Sequence, residues 1–186
     1  MPLPIAHGLM GASIVIAGSP SSSQLNGIEW DKLLLGAVLG ILPDLDSLII
    51  WSFGFSQTWH RGITHSLLLA ASVGVLLSFW AKPGTRIRWG IVYGSAMASH
   101  GLLDALVSVN GGVELLWPLS FHRFASGFYE YPETVIVNYN AAIDVLAIKD
   151  VGKLLYTTGI EIIIMGAVFI ATWTVKRKFG IAAKGL

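Results

Sequence analysis

Runs of apolar residues long enough to cross a lipid bilayer constrain this 186-residue chain more than any other feature. A spanning helix needs ~20 mostly apolar residues, and the segments 33–53, 63–81, 89–109 and 154–175 each supply such a run. Residues 4–18 form a shorter fifth run. It either tilts, stops partway or packs as a half-helix inside the protein, because lipid-exposed irregular backbone is not tolerated. Composition agrees, with 54% hydrophobic residues, 12% charged residues and a mean hydropathy of +0.68, too apolar for an ordinary soluble domain. The expected fold is all-α: a polytopic helical membrane protein with about five transmembrane or half-spanning helices.

The connectors carry loop chemistry: "GSPSSSQLNG" at 18–27, "KPGT" at 82–85, and a long stretch over 110–153. No repeat or linker divides the chain, so residues 1–186 read as one integral membrane domain. A formal net charge of +1 argues against a nucleic-acid partner, whose footprint is a basic patch or stripe. With no cysteine, any metal must be held by histidine and carboxylate. The opening "MPLPIAHGLMGASIVIAG" lacks the basic n-region of a cleaved signal peptide, so His7 is read as part of the mature protein.

Lysine and arginine in short loops are retained on the cytoplasmic side. Lys82, Arg86 and Arg88 lie between the third and fourth long runs counted from residue 4, and Lys176, Arg177 and Lys178 follow the last. Both basic clusters are expected in the cytoplasm, in a multi-pass protein of the plasma (inner) membrane with a cytoplasmic C-terminus and the long loop outside. That topology brings His7, Asp44, Asp46, His60, His65, His100 and Asp104 to the outer leaflet. A charged group at mid-helix costs at least ~2.5 to 3.5 kcal/mol and normally faces a functional interior, so their convergence marks a site.

Local spacing adds detail. In "SHGLLDAL", His100 and Asp104 are four apart and share a helical face. In "GILPDLDSLI" the two aspartates would point to nearly opposite faces of a regular helix, but Pro43 disfavours its continuation, and a break would let both turn to one cavity. Asp46 is either part of that site, as ligand or base, or the cap of a helix beginning at Ser47. In "TWHRGITHSLLL", Gly62 permits a turn and Thr64 can cap the helix carrying His65, so both histidines can reach one cavity with Arg61 beside them.

Imidazole and carboxylate are the ligands zinc accepts when cysteine is absent, and a catalytic zinc takes about three of them plus water. Seven candidates suit a site of two ions ~3.5 to 4 Å apart, an arrangement fitted to hydrolysing phosphate esters. Arg61 is the candidate to stabilise transition-state charge, or else an interfacial anchor. "AHG" at His7, "LPDLDS" at 42–47, "HRGITHS" at 60–66, "HGLLDAL" at 100–106 and "LWPLSFHRF" at 116–124 resemble the bacterial and archaeal family of inner-membrane-associated metal-dependent hydrolases, phospholipase-like and also described as LexA-binding. The resemblance covers most of residues 1–124. It implies metal binding by His7, Asp44, Asp46, His60, His65, His100 and Asp104. A looser similarity to helical zinc-dependent phospholipases C lacks their later histidine and H-x-x-x-E motif, so a third metal is not expected.

The loop is rich in aromatics: Trp117, Phe121, Phe124, Phe128, Tyr129, Tyr131 and Tyr139. Such residues favour the interface, which would lay the loop over the cavity. There His122 and Arg123 are candidate contacts to an anionic headgroup or plain interfacial anchors, and Glu114 is a candidate addition to the site. The leading expectation is a zinc-dependent phosphoester hydrolase acting on a membrane lipid, with Asp46 and Arg61 catalytic. Alternatives are a cation- or proton-coupled transporter, whose sites also use broken helices, and a non-enzymatic membrane adaptor with a structural metal.

Overall fold

The computed structural model describes residues 3–20, 30–56, 59–107, 111–126 and 151–182. Within them the regular structure is helical: α1 (Pro4–Gly18), α2 (Trp30–Ile41), α3 (Asp46–Phe53), α4 (Leu67–Ser78), α5 (Arg86–Val107) and α6 (Val151–Ala182). Among the described residues there is no strand, and Val113 and Phe124 form one isolated antiparallel bridge.

Helices α2 and α3 are one apolar run interrupted by a 3-10 turn at Leu42–Leu45, where Pro43 supplies no N–H to the α-helical ladder. Together Trp30–Phe53 is long and apolar enough to cross a membrane, and so is Thr158–Lys178 of α6. Two of the four expected spans therefore pass on length and composition. The run at 63–81 does not, because its helix is only 12 residues, about 18 Å, between a Ser66 cap and a turn at Phe79. Helix α5 has the length, but its polar and charged residues dilute its hydropathy. Helix α1 has 15 residues, short as expected.

The helices pack closely because small residues face one another. A Cβ on Gly40 would strike the His7 carbonyl, one on Gly11 the Gly36 carbonyl, so α1 and α2 touch backbone to backbone. His7 lies near Gly40 and Gly11 near Gly36, which makes these helices antiparallel. The core joins Val15 and Ile16 of α1, Leu33 and Leu39 of α2, Ala70 of α4, and Trp89, Tyr93 and Met97 of α5. Helix α6 lies alongside α1: Glu161 accepts from the Leu3 N–H (2.9 and 3.0 Å), and Lys176 donates to the Ala17 carbonyl at 3.0 Å. One end of the bundle gathers Lys32, Lys82, Arg86, Arg88 and Lys176, with Asp31 among them, and the other gathers His7, Asp44, Asp46, His60, His65, His100 and Asp104.

Residues 111–126 close the histidine end. The Leu67 N–H donates to the Leu115 carbonyl, Glu114 N–H to Arg61, and Ser126 N–H to Ala105, each at 2.9 Å. Val113 and Leu115 pack with Ala105, Leu67 and Phe124 in a second small core. Of the expected interfacial aromatics, Phe121 is exposed and Phe124 is half-buried, while Phe128, Tyr129, Tyr131 and Tyr139 lie outside the described residues.

Candidate metal centre

Each donor reaches the centre for a local reason. Helix α1 begins at Pro4, whose fixed φ and missing N–H suit a first helical position, and one turn on His7 points inward, completely buried. The 3-10 turn carries Asp44, and Asp46 opens α3 directly after it, so the two approach one imidazole from opposite ends: Asp44 Oδ1 is 3.7 Å from His65 Nε2, and Asp46 Oδ2 is 3.7 Å from His65 Nδ1. His100 and Asp104 share a face of α5 as their spacing predicts, and both are fully buried.

The turn that carries His60 and His65 differs from expectation in two details. The left-handed backbone belongs to Arg61 (φ 62°), not Gly62. The cap of α4 is Ser66, whose hydroxyl accepts the Leu69 N–H at 3.1 Å, so His65 sits in a 3-10 turn before the helix. Thr64 is therefore available to a different task. Its hydroxyl donates to Asp46 Oδ2 at 2.6 Å and accepts from His65 Nδ1 at 2.9 Å.

These bonds fix tautomers. The Gly40 carbonyl can only accept, so His100 Nδ1 carries the proton in their 2.7 Å bond. Thr64 places the His65 proton on Nδ1 in the same way. Both Nε2 lone pairs then face each other across 3.1 Å, an arrangement that repels unless a proton or cation lies between them. His100 Nε2 is also 3.3 Å from Asp44 Oδ1, and His65 Nε2 is 3.7 Å from Asp104 Oδ2.

One donor atom from each of Asp44, His65, His100 and Asp104 lies within 4.8 Å of all the others. Spacings of this size suit atoms that share one small cation, whose tetrahedral edges are about 3.3 Å for zinc–nitrogen bonds of ~2.0 Å. His7 joins from the side, its Nε2 3.5 Å from Asp104 Oδ1 and its ring stacked on His100 with centroids 3.8 Å apart. Both His7 nitrogens, Asp44 Oδ1 and both Asp104 oxygens are buried without a hydrogen-bond partner among the described residues. Buried polar atoms are normally satisfied, and a divalent cation satisfies this donor set. The residues fit a metal.

Asp46 and His60 stand outside that group of four. His60 Nδ1 donates to Asp46 Oδ1 at 2.8 Å, and the other carboxylate oxygen is taken by Thr64, so Asp46 orients its neighbours through hydrogen bonds. Its carboxylate does not cap α3. Arg61 Nε lies 3.4 Å from Asp104 Oδ2, at the edge of the cluster. His122 is exposed and stacks edge-on with Phe124. Arg123 pairs with Glu114 at 3.0 Å and donates to the Gly111 and His60 carbonyls, so it braces the covering segment. Glu114 is that brace's counter-charge and lies outside the donor group.

Two contributors escaped the sequence reading. The Gly40 carbonyl leaves no side-chain signal. Glu161 does: it is a lone carboxylate in "GIEIIIMGA", and the rule that ionisable groups in apolar spans are functional applies to it. It is buried and holds the start of α1, one turn from His7.

A family model described as YdjM inner membrane protein matches residues 1–180. The chain belongs to the YdjM inner membrane protein family. That description gives a location, the inner membrane, and the match spans every element that contributes to the cluster. Inner membrane protein YbcI of Escherichia coli (strain K12) is 39% identical over 101 residues, covering 50% of this chain and 56% of that relative. The match thus spans little more than half the length of that relative. No solved structure matches the chain.

Proposed function

We propose that this protein is a membrane-embedded, metal-dependent hydrolase that cleaves a phosphoester of a lipid. The observation that carries the reading is the convergence of buried, hydrogen-bond-deficient histidine and aspartate donors from four separate segments of an inner membrane family member. We assign Asp44, His65, His100 and Asp104 to a first zinc ion, with His7 beside it. A second ion would draw on His60 and Asp46, which must then exchange their mutual hydrogen bond for coordination. A divalent cation bound here supplies Lewis acidity and acidifies water.

The chain's own residues do the rest. If His60 and Asp46 instead keep their hydrogen bond and only the first ion binds, Asp46 holds His60 with its proton on Nδ1, which leaves Nε2 as the nitrogen able to take a proton from attacking water. Arg61 presents a planar fork suited to two phosphoryl oxygens. What supports an outer-leaflet site with a cytoplasmic C-terminus is the gathering of basic residues at the opposite end of the bundle. Exposed Trp51, Phe53 and Trp59 at the histidine end and Trp30 and Trp80 at the basic end suit the two interfaces of a bilayer.

The complete burial of His7, His100 and Asp104 favours a second reading, a closed structural metal in a non-enzymatic adaptor. One experiment separates them. Zinc content and headgroup or phosphate release from a panel of lipid phosphoesters are measured on the same samples of the purified chain and of His100→Ala. Hydrolysis needs bound metal and turnover, both lost in the variant. Metal without turnover on any phosphoester supports the adaptor, and a metal content near zero that resists reloading overturns both.

A further inference from the structure

The end of the bundle opposite the histidines holds a cavity of about 510 Å³ between α1, α2, α4 and α5. Asp104 lies fifteen positions along α5 from Trp89, in the cavity wall, a rise of about 22 Å, and the cavity lining shares no residue with the donor group. The floor is apolar, formed by Val15, Leu35, Leu77 and Tyr93. Its mouth is polar: Lys32 and Lys82 stand there with Ser19, Thr85 and one carboxylate, Asp31. The Lys32 ammonium lies over the Trp89 ring, 4.6 Å from its centroid, which fixes a positive charge at the rim. Arg86 and Arg88 begin the same helix nearby, and Lys176 reaches the end of α1.

A volume of this size is that of a small-molecule site. An apolar floor beneath a mouth with a net positive charge selects an amphiphile that is anionic at one end. We propose that this cavity is a binding site for an anionic phospholipid, its phosphodiester between Lys32 and Lys82 and the upper part of one acyl chain on the apolar floor. Basic clefts between helices at a membrane surface recognise lipid headgroups in this manner. The occupant is held and is not turned over, because among the described residues no histidine lines the cavity and Asp31 is its single carboxylate. The proposal is independent of the hydrolase reading.

Native mass spectrometry of the full chain in mild detergent tests it, with phosphatidylglycerol and phosphatidylcholine as probes and glycerol phosphate as competitor. Phosphatidylglycerol should be retained over phosphatidylcholine, Lys32→Gln and Lys82→Gln should each weaken that retention about fivefold, and Leu35→Trp, which fills the floor, should abolish it. Equal retention of the two lipids, or unchanged retention in both lysine variants, overturns the proposal. Full displacement by glycerol phosphate also overturns it, in favour of a site for a soluble anion. Helicity by circular dichroism checks each fold. Should Lys32→Gln or Leu35→Trp misfold, Lys82→Gln, at an exposed position, decides alone.

Discussion

Thr64 shows how much one hydroxyl can organise. It relays a hydrogen bond from His65 to Asp46 and so aims the His65 lone pair at His100. Thr64→Val keeps the shape and removes the relay, and metal affinity should fall about 10- to 100-fold, as for other groups that orient a ligand. Thr64→Ser should restore it, and competition titration with a zinc chelator measures both. Arg61 has a different signature, since it has no acceptor and cannot ligate a cation. Under the hydrolase reading, Arg61→Lys should keep its metal and lose at least ~10-fold in turnover, about 1.4 kcal/mol of transition-state stabilisation. Unchanged turnover on an accepted lipid would return Arg61 to the role of anchor.

Helix contacts decide whether these side chains meet. Because a Cβ on Gly40 would strike the His7 carbonyl, Gly40→Val must push α1 from α2. The expected cost is about 1–3 kcal/mol of stability, with weakened metal retention, whereas Gly84→Ala, with open space around it, should be neutral by thermal melting. At this scale the sequence was partly legible. Pro43 announced the break between α2 and α3, and the spacing of His100 and Asp104 announced their shared face. The length of α4 was hidden, because Phe79, Trp80 and Ala81 are as apolar as a helix interior yet form a turn. The roles of Thr64 and Ser66 were interchangeable on paper, since either hydroxyl can cap a helix. Only the path of the turn, with Arg61 in the left-handed region, separates them.

For the whole bundle, the separation of basic and histidine ends predicts an orientation that cysteine labelling can read without background, as the chain has no cysteine. Thr85→Cys should react with a membrane-impermeant reagent only from the cytoplasmic side and Ser126→Cys only from outside. The reverse pattern would move the histidine–aspartate cluster to the inner leaflet. The convergence of donors on one end followed from counting alternating segments, whereas the division into a four-donor group and an Asp46–His60 pair depends on angles that no count contains. The contact between Glu161 and the Leu3 N–H bears on biosynthesis. In chain order the carboxylate that steadies the start of the His7 helix is made more than 150 residues after His7 itself. Until α6 is made, the start of α1 therefore lacks this anchor, and under the metal-site reading His7 would take its final place beside the four donors only as a late step of folding.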